Sequence, residues 1–434
     1  MYMRKFVSEI KKKQILYKAA VKIYSYYLGV LRNSEVLRWG GRALGNSEFQ
    51  LEATSVKKYC EENEITKVTL EKEQTRPQYQ AAYFEGQGSK VSEILAPEVY
   101  YTILNEVYVC AMNDSVIVDR YLLNDRFLMP LATYANFETE PIIKYSRQGK
   151  CRVYGKIRKE VVPEAIALTG LASNNYYHWT FDILSKMAYI NQFEKLKDVP
   201  LIVDVTISMH STYMELLKLV DRYNHPIIFL ARGELIRVER LHYFSLCTFT
   251  AVYTKTKPEG YVNNTKPKKA IDMYRKNVLQ SALSETKEDE TYEKIFLSRG
   301  KGKCVVRLEN ETQVEDLFIA HGFKSINPSD YTIFQQARLF YKAKWVVGDE
   351  GAALSNVMYG GPNTHIVCIQ PEGWKDNVFS TIAYIANVNF IHLNAVETGE
   401  RHSHRVDIEY CKRFIAKQIE SASEEESENG KFQS

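Results

Sequence analysis

The sequence predicts an α/β protein built on doubly wound sheets. Two observations carry this. From Glu164 onward, short apolar runs alternate with segments of helical period, and twice such a run ends in a turn of small or amide side chains that opens a helix. Strands alternating with helices imply parallel pairing through right-handed crossovers. At 434 residues the chain exceeds the usual size of one hydrophobic core. With 45% hydrophobic and 25% charged residues it has ordinary globular composition, which excludes the fibrous and wholly disordered classes.

The elements follow in order. Residues 1–45 carry ten Lys/Arg against two Asp/Glu, and Leu16, Ala20, Ile23, Tyr27 and Val30 form one helical stripe opposite Lys11, Lys18 and Lys22. This is either a surface helix docked on its own domain or a basic amphipathic helix on an anionic membrane or a partner. An amino-terminal domain is expected over 46–254. It opens as an irregular α+β region, with a helix near Val56 to Asn63 and short strands around Val99 to Met112 and Ser115 to Asp119. Its α/β core, from about 164, has strand 165–171, helix 175–193, strand Leu201 to Val205, helix Thr212 to Tyr223, strand Ile227 to Leu230 and a run from Arg237 to Ser245.

The polar stretch 255–269, with Pro258, Gly260 and Pro267, reads as an interdomain linker, and a second α/β domain is expected over 270–419. Its elements are helix Ala270 to Leu283, strand Lys294 to Ser298, helix Gln313 to His321, strand Lys324 to Ile326, helix Thr332 to Ala343, strand Trp345 to Val347, strand His365 to Ile369 and helix Asn377 to Ala386. Residues 420–434 read as a solvated, disordered tail.

The two strand-to-helix turns are the candidate sites. In Gly348 to Asn356, small residues remove bulk where a ligand approaches the backbone, and amides at a helix start attract anions such as a pyrophosphate; a tight packed connection is the alternative. In the other turn the helix starts near Asn174 or Asn175. His178 and Asp182 then fall four apart on one face, near the end of a sheet where ligands collect.

Three blocks together resemble glycosyltransferase family 61, the group that includes capsular polysaccharide biosynthesis proteins. The first is Asn175-Tyr176-Tyr177-His178-Trp179 with Asp182, like the family's Asn-Tyr-Tyr-His-Trp and downstream acid. The second is Ser298-Arg299 followed by Arg307-Leu308-Glu309-Asn310-Glu311, like Ser-Arg and Arg-x-x-Asn-Glu. The third is Gly348 to Asn356, where the family reads Gly-x-His-Gly-Ala-Gly-Leu-Ser/Thr-Asn; here Glu350 stands at the usual His and Ala353 at the usual second Gly. Weaker likeness extends from about Pro97 to Ala395. An ionised Glu350 cannot donate to a phosphate and would repel it, so this position is expected to accept from a sugar or ribose hydroxyl.

The resemblance implies a GT-B-like fold of two facing Rossmann-like domains, with donor on the carboxyl-terminal domain and acceptor on the other. It also implies inverting, metal-independent transfer by a hexosyl- or pentosyltransferase. No cofactor or metal site is expected; the co-substrate is a nucleotide-sugar, with a UDP-sugar expected. On this reading Arg299, Arg307 and the amides of Gly351, Ala352 and Ala353 take the diphosphate, unless the two arginines instead form structural ion pairs with carboxylates such as Glu311. Asn310 and Glu311 either cap the next helix or, through Glu311, accept from a hydroxyl. Ser355 and Asn356 bond the sugar or diphosphate, or cap. Asn175, Tyr177 and Trp179 lie on the acceptor side. The base is His178, then Asp182, then Glu350 in order of preference.

The expected acceptor is a glycan or lipid-linked glycan in surface polysaccharide synthesis; the alternative is an inactive nucleotide-sugar or glycan-binding protein of the same fold. A net charge of +4 and a pI near 8.4 suit an anionic donor and are too mild for nucleic acid. Seven cysteines with no CxxC pair read as reduced core thiols. Charged first residues with no apolar run after them, and no membrane-length apolar stretch, give a cytoplasmic expectation, with peripheral contact to the inner membrane face through residues 1–32 as its extension.

Overall fold

A computed structural model of the chain describes residues 47–128, 143–145, 149–250, 264–285, 290–300, 307–374, 376–399 and 403–421. The amphipathic stripe of residues 1–45, residues 255–263 of the expected linker, Cys304 and residues 422–434 lie outside the described residues. The described residues cluster into two units. One takes those of Met1–Gln74 and Leu95–Pro258, the other those of Thr75–Ile94 and Glu259–Ser434. The segment Thr75–Ile94, which the sequence groups with its neighbours, thus joins the second unit. There Phe84 N–H donates to His392 O at 2.9 Å, His392 N–H to Ala82 O at 2.8 Å, and Tyr79 N–H to Thr381 Oγ1 at 3.1 Å.

Five strands of a larger mixed sheet organise the first unit: β1 (Val99–Cys110), β2 (Lys150–Leu168), β3 (Leu201–Asp204), β4 (Ile227–Leu230) and β5 (Glu234–Phe244). Their order is β1-β5-β2-β3-β4. β2, β3 and β4 are parallel, β5 is parallel to β2, and β1 is antiparallel to β5. Parallel pairing therefore holds for the α/β core but not for its junction with β1.

β2 is 19 residues long, where the sequence places a strand only from 165. The polar run Lys156–Glu160 and Pro163 masked it. The register against β5 shifts between Leu235 and Arg237, a bulge that lets a long strand tolerate such residues. Val107, Val109, Val162, Ile202, Ile236, Val238 and Leu241 fill one core beside this sheet.

In the second unit β6 (Lys294–Leu297), β7 (Lys324–Ile326), β8 (Trp345–Asp349), β9 (His365–Pro371), β10 (Asn389–Glu397) and β11 (His404–Arg405) stand in the order β7-β6-β8-β9-β10-β11. All pair in parallel except the last. β8 is buried on both faces, as its continuous apolar run requires. Helices Glu311–Ala320 (α1), Ile333–Lys342 (α2), Val378–Ala386 (α3) and Ile408–Phe414 (α4) belong to this unit. α2 starts at Thr332, whose side chain accepts from Gln335 N while Gln335 reaches back, a full capping box. β10 and α4 were not expected. The helical path beyond α4 runs on to Glu420, the first residue of the expected tail.

Among the described residues no helix is long and apolar enough to cross a membrane. Six cysteines, Cys60, Cys110, Cys151, Cys247, Cys368 and Cys411, are free and buried, as core thiols should be.

Candidate active site

In the first unit the strand order reverses at β2: the chain runs from β2 through β3 to β4 on one side and then places β5 on the other. Ligands of open α/β sheets collect at the carboxyl ends of the strands beside such a reversal. The segment leaving β2 passes Gly170 and Ala172, the latter at a φ of 54°, and turns at Asn175. Gly170 lies against the next helical turn so closely that a Cβ would stand 2.5 Å from Ile183 Cγ1. Buried Asp204, at the end of β3, holds this turn by accepting from Gly170 N–H at 3.3 Å and from Met112 N–H at 2.6 Å.

Asn175 Oδ1 accepts from Tyr177 N–H at 2.9 Å and His178 N–H at 3.4 Å, so its side chain opens the helix. The expected regular helix over 175–193 is instead a π-helical turn, His178–Ile183, followed by a tighter turn, Leu184–Lys186, and a short α-helix, Met187–Ile190. Single π turns of this kind recur at functional sites. His178 Nδ1 lies 2.7 Å from Asp182 Oδ2, with the imidazole a quarter exposed and the carboxylate buried. Donation from Nδ1–H to the carboxylate leaves Nε2 as the proton acceptor.

A polar network backs the pair. Thr248 Oγ1 donates to Asp182 Oδ1 at 3.1 Å. Arg126 Nε donates to Asp114 Oδ2 at 2.6 Å, and Asn124 Nδ2 donates to Asp114 Oδ1 at 2.8 Å. Burial opposes the Arg126 charge, but the carboxylates of Asp114 and Asp182 more than offset it and raise its pKa. Lys186 is pushed down by burial beside the same cluster. The other motif residues pack. Trp179 is fully buried with Nε1–H donating to Tyr213 O at 3.3 Å, and Tyr177 is buried with its ring edge-on to His178; Asn175 is exposed.

In the second unit the order β7-β6-β8-β9-β10 also reverses, between β6 and β8. The residues after these two strands are Ser298-Arg299 and Glu350-Gly351. Both blocks of the motif thus arrive at one strand-end crevice. Arg299 Nη2 stands 3.0 Å from Asp349 Oδ2 and also donates to Glu350 O, while Arg299 N–H donates to Glu311 Oε1 at 3.0 Å. Arg307 Nη1 donates to Glu350 Oε2 at 2.7 Å. Fully buried His404, from β11, meets Asp349 Oδ1 at 2.7 Å through Nε2. Both arginines are therefore ion-paired, but with Asp349 and Glu350, whereas Glu311 takes the Arg299 backbone amide.

The Glu350 carboxyl is mostly buried, and its pKa is pushed up to about 7, first by burial, then by the charge of Asp376 against that of Arg307. Burial also raises Glu311. Gly351, Ala352 and Ala353 open a 3₁₀ turn, Ala352–Tyr359, and are partly exposed; the first amides of such a turn lack intrahelical acceptors. Asn310 sits at the α1 start without a side-chain cap. Its Nδ2 donates to Val406 O at 2.8 Å and its Oδ1 accepts from Val406 N–H at 3.3 Å. Ser355 and Asn356 are fully enclosed within the 3₁₀ turn; Asn356 Nδ2 donates to Gln336 Oε1 at 2.7 Å. Sequence reasoning missed Thr248, Arg126, Asp114, Asp349 and His404. Only Asp349 lies inside a motif block.

Among the described residues no group of three or more His, Cys, Asp or Glu is set to hold a metal ion. No curated protein matches the chain. The family model described as Glycosyltransferase 61 matches residues 176–367, from Tyr176 beside the His178–Asp182 pair through the Arg299 and Glu350 crevice. That match supports glycosyl transfer as the activity, and it places residues 176–367 in glycosyltransferase family 61.

Proposed function

We propose that the chain is an inverting, metal-independent glycosyltransferase of GT-B organisation, moving a sugar from a nucleotide-sugar to a glycan or lipid-linked acceptor in cytoplasmic surface-polysaccharide synthesis. The observation that carries the reaction type is the His178–Asp182 pair, a partly exposed imidazole 2.7 Å from a buried carboxylate inside the matched segment. In a single displacement the acceptor hydroxyl attacks the anomeric carbon, His178 Nε2 takes its proton, and the nucleoside diphosphate leaves from the opposite face. Asp182 orients and balances the imidazolium that forms.

On this reading the diphosphate lies at the β6–β8 strand ends against Arg307, Arg299 and the amides of Gly351 to Ala353. The arginines supply the charge stabilisation that a metal ion supplies in other transferases. Arg307 exchanges Glu350 for phosphate, and Glu350, freed, accepts from a sugar or ribose hydroxyl. Glu311 holds Arg299 through its backbone, while Asn310, Ser355 and Asn356 shape the crevice from behind. The pairing of both arginines with in-chain carboxylates favours a second reading, an inactive nucleotide-sugar or glycan-binding protein.

Calorimetric titration of the full chain with UDP-, GDP-, CMP- and dTDP-sugars, with and without EDTA, separates them. Selective binding that EDTA spares, that Arg307→Ala abolishes, and that is followed by turnover with acceptor supports the transferase. Donor binding without turnover overturns it in favour of an inactive nucleotide-sugar-binding protein, and absence of binding at millimolar donor overturns it in favour of a glycan-binding one.

A further inference from the structure

The Asp182 carboxylate is buried and has both oxygens engaged: Oδ2 by His178 Nδ1 at 2.7 Å and Oδ1 by Thr248 Oγ1 at 3.1 Å. The two partners arrive by different routes. Asp182 follows the carboxyl end of β2, and Thr248 follows that of β5, the strand paired in parallel beside it with His242 opposite Ile166. Their bond spans the reversal in strand order at which a ligand crevice is expected. Thr248 is itself buried, and the strand that delivers it is anchored just before it, where Ser245 N–H donates to Tyr100 O at 3.0 Å and Tyr100 N–H donates to Ser245 Oγ at 2.9 Å.

We propose that Thr248 is a positioning residue: it fixes the plane of the Asp182 carboxylate, and so the orientation and tautomer of the His178 imidazole. A carboxylate that loses a partner on one oxygen is freer to rotate about χ2, a broad torsion, and to carry the imidazole with it. With Oδ1 tied to Thr248, the carboxylate plane that contains the Oδ2 lone pairs is set, and His178 Nδ1–H meets one of them. Nε2 then faces outward as the only ring nitrogen open to an acceptor hydroxyl. The buried Arg126 charge, fixed by Asp114 and by Asn124 Oδ1 at its backbone amide, interacts favourably with the Asp182 carboxylate as well. The catalytic consequence rests on the reading of His178 as the base; the orientation of the imidazole does not.

The test replaces Thr248 by Val, which keeps its shape and removes the hydroxyl, and by Ser, which restores it. Two quantities are read on the full chain: the ¹⁵N and downfield ¹H signals of the His178 ring, assigned by their loss in His178→Ala, and steady-state kinetics. Expected for Thr248→Val are a mixture of both neutral tautomers with loss of the sharp Nδ1–H signal, and kcat lowered about tenfold at unchanged donor KM, the scale of one orienting hydrogen bond. Thr248→Ser returns both to the wild-type values. Thr248→Ala serves in place of the valine variant if that does not fold. Unaltered ring signals in the valine or alanine variant overturn the proposal, as does a tautomer change that serine fails to reverse. Altered ring signals alongside a fully active His178→Ala uphold the Thr248 hold and overturn the base assignment, so the two readings fail separately.

Discussion

Gly351 and Arg299 compete for one volume: a Cβ on residue 351 would stand 2.5 Å from Arg299 Nη2. The φ of Gly351 is 169°, ordinary extended backbone, so a Cβ there is opposed by the present position of the guanidinium and not by conformation. Gly351→Ala should push the guanidinium away from Asp349 and weaken donor binding at least tenfold, with little change in the acceptor KM. Isothermal titration of donor into the variant checks this, and wild-type affinity would refute the assignment of Arg299 to the diphosphate.

A second expectation concerns pH. The Glu350 carboxyl titrates at about 7, raised by burial and by Asp376. Protonated, it presents no charge to the diphosphate; ionised, it repels the ligand and holds Arg307 more firmly. Donor affinity should therefore fall as pH rises through about 7. Glu350→Gln should bind donor with a flatter pH profile, and an unchanged slope in that variant would show that another group sets it.

His178→Ala and Asp182→Asn should each lower kcat by about 10²–10⁴-fold, the usual scale of general base catalysis, with donor affinity retained. Single-turnover assays at saturating donor measure this. Turnover near that of the wild type in either variant removes that residue from the role.

Asp204 offers a stability test. Burial raises its pKa to about 7, ahead of the lowering effect of the Met112, Ser173 and Gly170 donors. The folded chain thus holds this proton to higher pH than the unfolded chain, whose aspartate titrates near 4. The resulting stabilisation is fully present below about pH 4 and is lost as pH rises through about 7, a span on the order of 4 kcal/mol. The melting temperature of the wild type minus that of Asp204→Asn should fall between pH 5 and pH 8. A constant difference would mean that Asp204 is ionised throughout.

The legible parts of this molecule are those written in local chemistry. The Thr332–Gln335 box marks the start of α2, Ile227–Leu230 reads as the strand it is, and the spacing of His178 and Asp182 brings them into contact even though the helix there is π and not α. What escaped depends on distant pairing. Thr248 lies 66 residues beyond Asp182, and His404 lies 55 beyond Asp349; neither has a local signal. β2 was hidden by Pro163 and a polar run that only a bulged pairing accommodates. The ion pairs of Arg299 and Arg307 were anticipated in kind, but their partners, Asp349 and Glu350, follow from the β6–β8 register, with Leu297 opposite Gly348.

The assignment of Thr75–Ile94 to the second unit has a consequence for synthesis on the ribosome. These residues emerge early, yet the strand whose backbone receives Phe84 and gives to Ala82 is made about 300 residues later, an interval of about 15–60 s at ordinary elongation rates. Until β10 leaves the exit tunnel, Tyr83 and Phe84, which end up buried, must be kept from other partners. Neither unit is a contiguous reading frame. A messenger cut between the codons of Pro258 and those of β10 specifies the whole of the first unit and, inserted within it, a piece of the second that lacks the strand on which it seats.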